Sequence, residues 1–172
     1  MKLKQRLVLE KGFTLIELLV VMAILVVLVV GLAVAINPAD KIRQASDSRV
    51  LNSFGAIARA SEAYTVANNG AYPPVTTLAA FSSALTTANE LKVFPSAPSG
   101  YEAFQVEADG TDFILSGELK SSKYGACAAG TFRIIRYTSS NGTTCTGCST
   151  GATANAAVTA VTNAAPATCT AL

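Results

Sequence analysis

Histidine and tryptophan are absent from the 172 residues. Without histidine, neither a Ser-His-Asp triad nor a histidine-ligated zinc centre can be assembled, which removes most of the common hydrolytic chemistries. Charge is scarce too: Asp, Glu, Lys and Arg make up 14% of the chain, Glu17 is the only charged residue in 13–36, and residues 138–172 hold none. The formal net charge of +2 leaves no basic surface of the kind that captures nucleic acid. That small number also conceals a split. Lys2, Lys4, Arg6 and Lys11 against Glu10 give residues 1–12 a charge of +3, and the 9 basic and 10 acidic residues that remain give −1.

What the chain has in quantity is apolar side chains, 51% of the total, enough for one folded domain at this length. They are concentrated between Phe13 and Ile36. As a helix, that stretch is about 36 Å long, sufficient to cross a hydrocarbon core of about 30 Å. The basic residues before it hold its N-terminus in the cytoplasm, so the part beyond Asp40 faces outward. An ordinary secretory signal is one reading, with Ala33-Val34-Ala35 as its cleavage site, but the run is too long for the apolar centre of such a signal and contains a carboxylate. A plain single-pass anchor is a second reading, and it leaves Glu17 unexplained, because a carboxylate inside an apolar membrane helix calls for a function and a partner.

A third reading supplies that partner. Lys11-Gly12-Phe13-Thr14-Leu15-Ile16-Glu17-Leu18-Leu19-Val20 resembles, in order, the cleavage motif of type IV prepilins and type II secretion pseudopilins, which carry a class III signal peptide. The resemblance implies that a prepilin peptidase cuts between Gly12 and Phe13 and methylates the new amine of Phe13. It further implies that Glu17 pairs with the Phe13 amine of a neighbouring subunit during assembly. Glycine before the cut offers the peptidase an unhindered backbone.

Further along, Gly31 and Pro38 are the weak points of the helix. Proline removes a hydrogen bond and favours a kink, and family filaments often loosen between such a glycine and proline. Equally, Asn37-Pro38 reads as the membrane exit and the start of a new helix. From Lys41 to Ala67, apolar residues at Ile42, Ala45, Val50, Leu51, Phe54, Ile57, Ala58 and Tyr64 form one helical face, with Arg43, Asp47, Arg49, Arg59 and Glu62 assigned to the other. Asn68-Asn69-Gly70 ends that helix. Gly70-Ala71-Tyr72-Pro73-Pro74 resembles the turn after the long helix of many pilins and pseudopilins. A short helix is expected within 78–91, and Leu91 to Pro98 resembles the lead into a pseudopilin-type sheet.

Strands are expected at Tyr101–Ala108, Asp112–Lys120 and Thr131–Thr138, with a tight turn at Asp109-Gly110. Glu102, Glu107, Asp109 and Asp112 read as a solvated rim, and Asn141-Gly142-Thr143 reads as a turn in preference to a glycosylation site. The tail is Thr, Ser, Ala, Gly and Asn, with little bulk for a core, so covalent ties are its expected source of order. Cys127, Cys145, Cys148 and Cys169 all lie beyond the apolar segment, in the oxidising compartment, and read as disulfides rather than as a metal site. Longer loops favour Cys127 tied to one of Cys145 and Cys148, and Cys169 to the other.

The expected architecture is α+β: a long N-terminal α-helix, transmembrane in one half and amphipathic in the other, packed on a small antiparallel β-sheet head, a pilin-like lollipop. Its divisions are a cleaved leader (1–12), a transmembrane and polymerisation helix (13–36), the amphipathic half (37–69), a connecting loop with a short helix (70–100), the sheet (101–138) and the cysteine-bearing region (139–172). The resemblance implies a structural subunit, not an enzyme. It would have no cofactor and no metal, reside in the inner membrane as a single-pass prepilin, and then form an extracellular filament. Its partners would be further copies of itself, the prepilin peptidase, the inner-membrane pilus assembly machinery and, before assembly, the lipid bilayer. Two alternatives stay open: a pseudopilin or minor pilin of a secretion or competence machine, and a tip adhesin or DNA-binding pilin, although nucleic acid is not indicated by charge.

Overall fold

A computed structural model describes residues 12–150 and 170–171. The chain divides into two compact units, Met1–Pro38 and Ala39–Leu172.

The first unit is built on helix α1, Leu15–Ile36. Its run of valines has modest helix propensity in water, whereas in lipid a helix is what satisfies every backbone group within the segment. Leu15–Ala33 is long and apolar enough to cross a membrane, the one such helix among the described residues. Gly31 stands inside continuous α1, and the interruption falls at Asn37 instead. There the backbone turns left-handed (φ 46°), as asparagine tolerates, and Pro38 opens the next helix at a position where its missing N–H costs nothing. Of the two readings of Asn37-Pro38 that the sequence offers, the start of a new helix is the one found.

In the second unit, α2 spans Pro38–Ala67 and buries Asp47, Val50, Phe54, Ile57, Ala58, Ala60 and Ser61. The spacing 47-50-54-57-61 keeps one face turned inward. Asp47 thus sits on the buried face rather than on the polar one expected for it. Asn69 and Gly70 end the helix at positive φ, and the Gly70 N–H closes on the Thr65 carbonyl at 2.8 Å. Helix α3, Leu78–Thr87, is capped by the Thr77 hydroxyl, which accepts the Ala80 N–H, and inserts Phe81 and Leu85 into the core.

The sheet is an antiparallel meander in the order β1 (Gln105–Ala108), β2 (Phe113–Glu118), β3 (Thr131–Thr138), β4 (Thr143–Thr150) and β5 (Thr170–Ala171). Phe113 is the hub of the core, with Tyr72, Phe81 and Tyr137 rings at 5.1, 5.4 and 5.4 Å, while Phe54 of α2 meets Phe104 edge-on at 5.2 Å. Strand β4 adds backbone pairing to the covalent ties expected of the tail. All eight of its residues pair with β3, from Thr131 opposite Thr150 to Thr138 opposite Thr143. Its Thr-Thr-Cys-Thr-Gly-Cys-Ser-Thr sequence has no apolar alternation, so the open edge of β3 supplies what local preference does not. The connecting turn uses Asn141-Gly142, with Gly142 at φ 60° and its N–H on the Ser139 carbonyl.

Candidate processing and assembly site

Gly12 and Phe13 lie exposed and non-helical immediately before α1. The helix begins with a capping box. The Thr14 hydroxyl accepts the Glu17 N–H at 3.3 Å, and the Glu17 carboxylate accepts the Thr14 N–H and its hydroxyl proton, each at 2.9 Å. These bonds satisfy donors that a helix start otherwise leaves open, and they place negative charge at the positive end of the helix dipole. The structure therefore brings Gly12, Phe13 and Glu17 together around one helical turn. The Thr-x-x-Glu spacing is the sequence signal of this capping box, a role of Glu17 separate from any intermolecular pairing. Among the described side chains of α1 the large apolar ones are 47–82% exposed, with no face preferred over another.

Pro38 opens α2, and the described cysteines belong to the second unit. Cys127 and Cys148 form a disulfide, with Cα atoms 5.7 Å apart. Cys145 is also disulfide-bonded, and Cys169 lies outside the described residues. The Arg133 guanidinium, directly opposite Cys148 in the β3–β4 register, donates to its Sγ at 3.5 Å.

Two carboxylates of α2 hold the segment after β2. Asp47, fully buried, accepts the Lys120 N–H at 3.0 Å, the Ser121 N–H at 2.9 Å and the Tyr101 hydroxyl at 2.7 Å. Burial, the bond to Asp47 and its negative charge push the Tyr101 phenol well above its ordinary pKa. Asp40 accepts the Ser122 N–H at 2.9 Å and its hydroxyl at 2.7 Å. Those two bonds, the backbone one foremost, hold the Asp40 carboxyl below its usual range. Neither carboxylate was singled out from sequence; continuation of the Val50–Phe54–Ile57 spacing back to position 47 was the available signal.

The acidic residues near the β1–β2 turn are engaged in local structure. Asp109 Oδ1 accepts the N–H groups of Thr111 and Asp112 at 2.8 Å, and Asp112 accepts the Ser139 hydroxyl at 3.2 Å. Among the described residues no group of three or more Asp, Glu, Cys or His is placed to hold a metal ion.

Compared with known families, residues 9–33 match the prokaryotic N-terminal methylation motif. No curated protein and no solved structure matches the chain significantly.

Proposed function

We propose that this chain, whose N-terminal segment is that of type IV pilin and pseudopilin precursors, is a structural subunit cut after Gly12, methylated at Phe13 and polymerised through α1 into a surface filament. The observation that carries the reading is the composition of α1: apolar on every side, with a single carboxylate held at its first turn, directly behind Gly12-Phe13. A helix without a polar face is suited to burial all round, first in lipid and then among copies of itself.

The chemistry follows from the position of the cut. Hydrolysis of the Gly12–Phe13 amide removes the +3 leader and turns the Phe13 nitrogen into an amine, cationic at neutral pH with a pKa of about 8. The Glu17 carboxylate, which already accepts the next N–H at 2.9 Å, is a ready acceptor for such an amine, on its own chain or on a neighbouring one. Pairing lowers the cost of carrying the carboxylate away from water, and a subunit in the wrong register would forgo it.

The test is the mass and first residue of the protein recovered from membranes and from sheared filaments. A start at methylated Phe13 is expected. Assembled fibres that retain residues 1–12 overturn the reading, and a start at Ile36 indicates ordinary secretion. The Gly70–Pro74 turn and the Leu91–Pro98 lead toward β1 favour a second reading, a pseudopilin or minor pilin. Filaments in which this chain is a trace component are its expected signature, and filaments made mainly of it exclude it.

A further inference from the structure

The second unit contains an open cleft of about 510 Å³, formed by the start of α2, the connection from β2 to β3 and the first residues of β3. Its acidic groups are already occupied. Asp40 holds Ser122 and accepts from Gln44 at 2.8 Å, and Glu118 pairs with Lys120 at 3.2 Å and accepts the Glu102 N–H at 3.1 Å.

Its guanidinium groups are less fully engaged. Arg43 acts on the Asp40 carboxylate through its charge but forms no ion pair at contact distance among the described residues. Arg133 spends one N–H on the Cys148 sulfur, a weak acceptor, and its Nε is buried without a partner. Ser121 lines the same cleft at 3% exposure, and its Oγ is likewise buried and unpartnered, its backbone N–H being taken by Asp47. Buried polar groups are rarely left unmatched, so two unused donor sets on one cleft point to a ligand rich in acceptors. Water can satisfy the hydroxyl and hydrate the guanidinium groups, but Arg43, Lys120 and Arg133 against Asp40 and Glu118 leave the lining with one excess positive charge, which favours an anion. A planar carboxylate has two oxygens to share among two guanidinium forks and a hydroxyl, whereas a phosphate has more acceptor oxygens and matches the arginine fork.

Chain length indicates the source. Arg43 follows Ala33, the last residue of the membrane-length segment, by only ten positions, a span of at most about 36 Å when extended. We propose that this cleft binds a phosphate group, that of an anionic phospholipid headgroup at the outward face of the membrane before assembly. The lipid source rests on the reading of α1 as a membrane helix.

The experiment uses the full chain in uncharged maltoside micelles, with phenylglyoxal modification of each arginine followed by mass spectrometry. Phosphatidylglycerol added to the micelles is expected to slow modification of Arg43 and Arg133 relative to Arg49 and Arg59, by about tenfold when its concentration is about ten times its Kd. The same slowing by inorganic phosphate, with none by the lipid, supports a phosphate site and rejects the headgroup. Unchanged rates with both overturn the proposal. In Arg43→Gln, at an exposed position, protection of Arg133 is expected to fall severalfold; undiminished protection overturns the shared site. A chain that stays dispersed without any detergent marks failure of the membrane reading, an outcome separate from failure of the cleft.

Discussion

The Asp47 carboxylate and the Ser121 backbone N–H, 74 positions apart in the chain, meet at 2.9 Å in a fully buried setting. With the Lys120 N–H and the Tyr101 hydroxyl on the same carboxylate, this bond ties the end of β2 to α2. Asp47→Ala leaves those donors without an acceptor, and the expected loss is roughly 3 kcal/mol or more. Tyr101→Phe removes one donor only, at about 1 kcal/mol. Thermal unfolding of the full chain in detergent separates the two; equal and small effects would refute the hub.

Gly117 of β2 lies against the ring of Phe54 from α2 and that of Phe104. A Cβ there would stand 3.1 Å from both the Phe54 and the Phe104 rings. Gly117→Ala is therefore expected to destabilise the second unit by about 1–3 kcal/mol through overpacking, readable as a lowered Tm. An unchanged Tm would mean that the two rings can move aside freely.

The Asp40 tie gives an acid dependence. Its folded pKa is below the ordinary value of 3.8, so its contribution is fully present above that value and is lost as pH falls through the folded pKa. Tyr101 works at the other end. Its raised folded pKa gives stability that is full below 10.0 and declines as pH rises toward the folded value. Unfolding measured against pH should flatten on the acid side in Asp40→Asn and on the alkaline side in Tyr101→Phe.

The Cys127–Cys148 bridge closes a separation of 21 residues around β3. Cys127→Ser should cost roughly 3 kcal/mol by the loop-entropy account, seen as a drop in Tm that the wild type shows only with reductant. Peptide mapping without reduction should recover Cys127 joined to Cys148; Cys127 joined to Cys145 would contradict the strand register.

Glu17 has two separable duties. Glutamine can also complete a capping box, so Glu17→Gln keeps the start of α1 while deleting the charge, and Glu17→Ala deletes both. Both variants should insert into the membrane. Loss of filaments in both isolates the charge as the assembly determinant, whereas wild-type filament yield from Glu17→Gln would assign Glu17 to capping alone.

Much of this was legible in the chain. Strands β1 and β2 announce themselves by Phe104 and Val106, then Phe113 and Leu115, alternating about Asp109-Gly110, because period two is a local property. Helix α2 is equally plain from Val50, Phe54 and Ile57. Asp47 was misassigned because a carboxylate ordinarily faces water, and only the donors of Tyr101, Lys120 and Ser121, distant in sequence, make its burial tolerable. The cleft with Arg43 and Arg133 was invisible for the same reason: its walls come from separate elements.

The order of residues by itself determined the membrane-length helix, the Gly12-Phe13 junction and the carboxylate at position 17, since hydropathy and motif spacing act over neighbouring residues. Tertiary structure decided that a threonine-rich segment becomes β4, and which half of Cys145-x-x-Cys148 meets Cys127. Residues three apart on a strand face opposite sides, and pairing with β3 sets Cys148 opposite Arg133, on the side where Cys127 lies; no local pattern carries that choice.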